Sequence, residues 1–103
     1  MRAVVTVTGK DKKGIIAKVS AFLAERNVNI EDISQTVLGE YFAMIMIADM
    51  SECQKEIAAV AAECAELGKQ IGMSIYLQRQ EWQVKPFYPV GSQQVPKQKN
   101  LKD

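Results

Sequence analysis

Apolar and polar residues follow six successive patterns in the first 82 positions, and each pattern marks an element. Residues 2–8, RAVVTVT, alternate with Ala3, Val5 and Val7 on one side and are rich in β-branched residues, which predicts a strand. From Ile15 the spacing becomes helical: Ile15, Ile16, Val19, Phe22 and Leu23 fall on one face, with Lys18, Glu25 and Arg26 elsewhere on the wheel. This helix is expected to end near Asn27. Residues 30–38, IEDISQTVL, return to period two, Ile33 and Val37 opposing Asp32, Ser34 and Thr36. After a tight break at Gly39 and Glu40, residues 41–50, YFAMIMIADM, are apolar on both faces, so a hairpin is expected.

Ser51 and Gln54 have the spacing of a capping box, in which serine accepts a free N–H and glutamine reaches back to the cap. A second helix is therefore expected from Ser51 to Gly72, with Cys53, Ile57, Val60, Ala61, Cys64, Leu67 and Ile71 as its apolar stripe. Residues 73–82 alternate again, Met73, Ile75 and Leu77 against Ser74, Tyr76 and Gln78. The order is βαββαβ, an α+β ferredoxin-like arrangement. Right-handed crossovers then require a four-stranded antiparallel sheet, first and third strands central, with two helices on one face. One face of the two-sided third strand would lack a helix, and such an apolar surface favours pairing as a homodimer. Met44, Met46 and Met50 suit either the core or an adaptable interface.

From Val84 the composition changes to prolines, glutamines and lysines, so the domain is placed at 1–82 and residues 83–103 are read as a mobile C-terminal tail. The net charge of +1 is uneven: residues 85–103 carry +3, which leaves the preceding part at −2. A near-neutral, mildly acidic domain gives no field for nucleic acid or anionic membranes. No apolar run is long enough to span a bilayer and no signal-peptide pattern is present, so a cytoplasmic location is expected. Cys53 and Cys64 lie eleven residues apart in the expected second helix, too far for a bridge within it, and read as buried thiols. With no histidine and no close cysteine pair, the chain offers no metal site and needs no cofactor.

Candidate chemistry concentrates in GKDKKG, residues 9–14, between the first strand and the first helix. It lacks the spacing of a P-loop and the three glycines of a dinucleotide fingerprint. It also lacks a base or nucleophile, so no enzyme is expected. Asp11 can cap or pair with the first helical turn, and Gly14 lets a backbone or a ligand come close; free N–H groups there favour a carboxylate. A structural turn and a ligand site both fit these residues.

Residues 5–51, from VTVTGKDKKGII through NVNIEDISQ to the methionine-rich third strand, resemble the ACT domain, a regulatory βαββαβ module that commonly binds amino acids between paired domains. The likeness is carried by Asp11, Gly14 and Ile15 at the first turn, Val19 and Leu23 on the helix, and NVNIEDISQ leading into the second strand. More narrowly, the chain is similar to small stand-alone ACT proteins of uncharacterised function, relatives of the glycine cleavage system transcriptional repressor. The resemblance implies a ligand pocket formed by Asp11, Lys12, Lys13, Gly14 and Ile15 with Asn29 and Ile30, and Gln35 and Thr36 are further candidates. It implies a non-catalytic module sensing a small amino acid at a homodimer interface. A protein-interaction or dimerisation module without a small ligand is the alternative. Residues 83–103 depart from the charged and apolar helical segment common at this position in the stand-alone proteins.

Overall fold

The computed structural model of the chain describes residues 1–80. Strand β1 spans Arg2–Lys10, helix α1 Ile15–Glu25, strand β2 Asn29–Leu38, strand β3 Tyr41–Asp49, helix α2 Ile57–Ile71 and strand β4 Ser74–Arg79. The strands form one antiparallel sheet in the order β2-β3-β1-β4, the expected ferredoxin-like topology with β1 and β3 central. The tail expected at 83–103 lies outside the described residues.

Alternation along the strands decides which face is covered. Ala3, Val5 and Val7 of β1, Phe42, Met44, Met46 and Ala48 of β3, and Ile75 and Leu77 of β4 are buried. They meet Ile15, Val19 and Leu23 of α1 and Val60 and Cys64 of α2, so both helices lie on this face. Met44 and Met46 are fully enclosed and Met50 nearly so, which assigns these methionines to the core rather than to an interface. The other face carries Val4, Thr6, Ala43, Ile45 and Tyr76, none of them fully buried.

Two local choices shape the elements. Helix α1 stops where Asn27 takes φ 59°, a left-handed conformation asparagine tolerates, while the Asn27 and Val28 N–H groups return to Ala24 and Leu23. Helix α2 has Glu56 as its N-cap, five residues after the Ser51 that the capping-box pattern suggests. The Asp49 carboxylate takes both the Ser51 N–H, at 3.0 Å, and the Ser51 hydroxyl, at 2.8 Å, so Ser51 is bound to β3 and the N–H that Gln54 would take in a capping box is already engaged. Cys53 therefore sits before the helix, half-buried, with its thiol near the Lys55 carbonyl at 3.7 Å. Gly72 closes α2 as expected, at φ 73° with its N–H on the Gly68 carbonyl.

Candidate functional site

The β1–α1 turn is fixed from two directions. The Asp11 N–H donates to the Glu40 carbonyl at 2.8 Å, tying the turn to the β2–β3 hairpin. The Lys12 ammonium donates to the Ile71 carbonyl at 3.2 Å, where a cation satisfies one of the open carbonyls at the end of α2. Helix α1 is capped by Gly14 itself, at φ 82° and ψ 5°, with no side-chain cap; Asp11 does not take the capping role expected of it. The Gly14 carbonyl instead accepts the Lys18 N–H at 3.0 Å and opens the helix. A Cβ placed at Gly14 would have no heavy atom within 4 Å, so space lies directly above this end of α1.

That space is a cleft of about 260 Å³ lined by Asp11, Lys12, Gly14, Ile15, Ile16, Ala17, Gln35, Val37 and Phe42. Register explains the lining. Gln35 and Val37 of edge strand β2 pair with Met44 and Phe42, which puts them on the helix-covered face, opposite the first turn of α1. The cleft is apolar at Ile16, Val37 and Phe42, with Asp11, Lys12 and Gln35 as polar groups and the first backbone N–H groups of α1 at one end. A carboxylate is favoured at such an end and an apolar side chain against the floor.

Four of the seven residues of the expected pocket, Asp11, Lys12, Gly14 and Ile15, thus meet at one cleft, together with the further candidate Gln35. Lys13 is exposed on the turn and lies outside the lining. Asn29 and Ile30 are elsewhere in the chain: Asn29 pairs with Asp49, six residues back along β2 from Gln35, which is roughly 20 Å at the rise of a strand. Thr36 pairs with Ala43 on the helix-free face and borders a separate hollow of about 350 Å³ with Thr8, Gly9, Leu38 and Tyr41. Val37 and Phe42 were not among the candidates. Their signal was the alternation of β2 and β3, which places them on the face of α1.

The remaining reactive groups serve packing. Burial pushes the Cys64 thiol up to about 11, so it stays protonated beneath α2. Glu63 accepts from Lys55 Nζ and Arg26 Nε, each at 2.6 Å, and Arg26 also donates to the Phe22 carbonyl at 2.9 Å and covers the Phe22 ring at 3.7 Å. Lys55 and Arg26 together hold the Glu63 carboxyl below its ordinary value of 4.5. This network joins the end of α1 to α2. Among the described residues, no group of three or more His, Cys, Asp or Glu converges as a metal site, and no helix is long and apolar enough to cross a membrane.

Fold and turn together define a ferredoxin-like module with a small cleft at its first strand-to-helix turn. Residues 2–78 match the family model of the ACT domain, and the chain belongs to that family. A UPF0237 protein of Listeria monocytogenes is 51% identical over 81 residues, covering 79% of this chain and 91% of that protein. Among solved structures, an ACT domain protein from Streptococcus pneumoniae is 42% identical with a TM-score of 0.69, over 76% of this chain and 88% of that one. The regulatory subunit of aspartate kinase from Thermus thermophilus, in its ligand-free form, is 31% identical with a TM-score of 0.57, over 75% of this chain and 50% of that one.

Proposed function

We propose that this chain is a non-catalytic regulatory module that senses a small amino acid in the cleft at the start of α1, in a homodimer. The observation that carries the reading is the left-handed Gly14 cap with open space above it, facing Gln35. An α-carboxylate suits the free N–H groups of the first turn; Gln35 and Asp11 offer oxygens to an α-ammonium, and Phe42 and Val37 take a short side chain. The chain has no histidine to act as a base, and the buried Cys64 is held as a thiol, which favours sensing over chemistry.

The separation of the two candidate clusters supports the dimer reading. Strand β2 is an edge, with Ile33 and Val37 exposed on its helix side. An edge strand pairing antiparallel with its own copy about a two-fold axis lays the beginning of one strand against the end of the other. The Asn29–Ile30 segment of one copy then comes beside the Gln35–Val37 segment of the other, which reunites the two clusters across the interface. A ligand bridging them would stabilise the paired state, and it would act on a regulated partner through unequal affinity for the two states.

Titration calorimetry with each of the twenty amino acids is the test, on protein shown by light scattering to be dimeric. At least one is expected to bind the unsubstituted chain, and Gly14→Val, which fills the space above the turn, is expected to abolish that heat. A folded dimer that gives no heat with any of them would rule out the amino-acid reading.

A further inference from the structure

On the helix-free face of the sheet, side-chain size alternates from row to row. Thr36, Ala43, Thr8 and Ser74 stand side by side on β2, β3, β1 and β4, a row of small residues. The next row along the strands is Ser34, Ile45, Thr6 and Tyr76, in which Ile45 is 50% exposed and Tyr76 63%. On the other side of the small row stand Leu38 and Tyr41, 74% and 58% exposed. The small row is thus a trough between two ridges, and it contains the hollow of about 350 Å³ that Thr8, Thr36, Leu38, Tyr41 and Ala43 border.

We propose that a second copy of the chain packs face to face on this surface, the Ile45–Tyr76 ridge of each copy seated in the trough of the other. Symmetry selects the arrangement. Two facing sheets related by a two-fold axis have that axis either along the strands or across them. An axis along the strands keeps every row at its own level, so ridge meets ridge, trough meets trough, and Lys10 stands level with Lys10 of the second copy. An axis across the strands, passing between the Thr36 and Ser34 rows, exchanges the levels: Ile45 comes over Ala43 of the second copy, Tyr76 over its Ser74 and Tyr41 over its Ile47. The same exchange brings Lys10, at the hairpin end of the face, to the end that holds Asp32 of the second copy, so opposite charges meet at both ends. Four strands about 4.8 Å apart, rising about 3.3 Å per residue, give a face of roughly 19 by 30 Å. That is somewhat less than the surface of about 800 Å² per partner that a stable pair buries, so this pairing adds to an edge-paired dimer as concentration rises. Its axis is perpendicular to the one that joins two β2 edges, and both cross β2 near Ser34, so the two pairings combine into a closed tetramer of stacked sheets. The cleft at the start of α1 lies on the helix-covered face, so the face-to-face pairing does not depend on a ligand there.

Sedimentation equilibrium of the full chain, from micromolar to millimolar protein, is the test. The mass is expected to double across the series, and Ile45→Lys is expected to raise the dissociation constant of that step by about tenfold or more, since it carries an unpaired charge into each trough, while circular dichroism stays native. Tyr76→Lys, at a more exposed position, is expected to act in the same way and serves if the first variant does not fold. Ala43→Phe is also expected to weaken the step, although it adds apolar surface, because it fills the trough. The doubling is read from the mass at the lowest concentration, one chain or two, so the result stands apart from pairing at the β2 edge. A mass that never rises would overturn the proposal. So would a rise unmoved by both lysine variants, which would place the contact elsewhere, or one strengthened by Ala43→Phe, which would mean apolar adhesion without interlocking rows.

Discussion

Gly14 shows how much one residue can decide. Its φ of 82° lies where a Cβ costs about 1–2 kcal/mol, although nothing stands in the way of that Cβ. Gly14→Ala is therefore expected to lower stability by roughly that amount through backbone strain alone, a fall of several degrees in Tm for a domain of this size. Gly14→Asn is expected to recover much of the loss, since asparagine tolerates the left-handed region and can cap the helix. Thermal denaturation of the two variants checks the order; equal losses would mean that strain is not the cause. The importance of Gly14 was legible in the sequence because the hydrophobic period changes from two to 3.6 across it. The use of Lys12 was not. Its carbonyl partner, Ile71, is 59 residues away, and no local pattern links a turn to the far end of another helix.

At the scale of elements, hydrophobic spacing located every strand and both helices, because each has one face in the core and the other outside it. Starts and stops were harder where two polar partners competed. Ser51 had a cap's neighbours in sequence, but Asp49 lay closer in space and took its donors; the Ser51 hydroxyl first, then its N–H, hold the Asp49 carboxyl below its ordinary value of 3.8. The ion network between α1 and α2 yields a prediction with a definite sign. Glu63 titrates lower in the folded chain than unfolded, so its stabilisation is present above about 4.5 and is lost as pH falls through its folded value. Tm measured from pH 6 to pH 3 is expected to fall with acid, and the fall is expected to be shallower in Glu63→Gln, with Asp49 contributing the same sign independently. An unchanged slope would show that the Glu63 contacts do not persist in solution.

For the whole molecule, topology followed from the order of elements and from the handedness of crossovers, and the identity of the covered face from the alternation within β1 and β4. What could not be read was which candidate residues share a cleft. Asp11, Gly14 and Ile15 are neighbours in sequence and meet in space, whereas Asn29 is set apart by the antiparallel run of β2. The pairing of that strand carries one irregularity, a shift between Ile30 and Asp32 that leaves Glu31 without a place in the ladder and lets it meet Arg2 at 2.6 Å. The extra residue makes the chain unequally tolerant of changes in its length. Deleting Glu31 would leave Ile30, Asp32 and Ile33 in regular alternation and every side chain on its present face, whereas deleting Ser34 would turn Gln35, Val37 and the rest of β2 over. The first deletion is expected to fold with the loss of one exposed ion pair and the second to lose the cleft or the fold, as a pair of thermal melts would show. Single-residue gaps in β2 among relatives of this chain should accordingly gather at position 31.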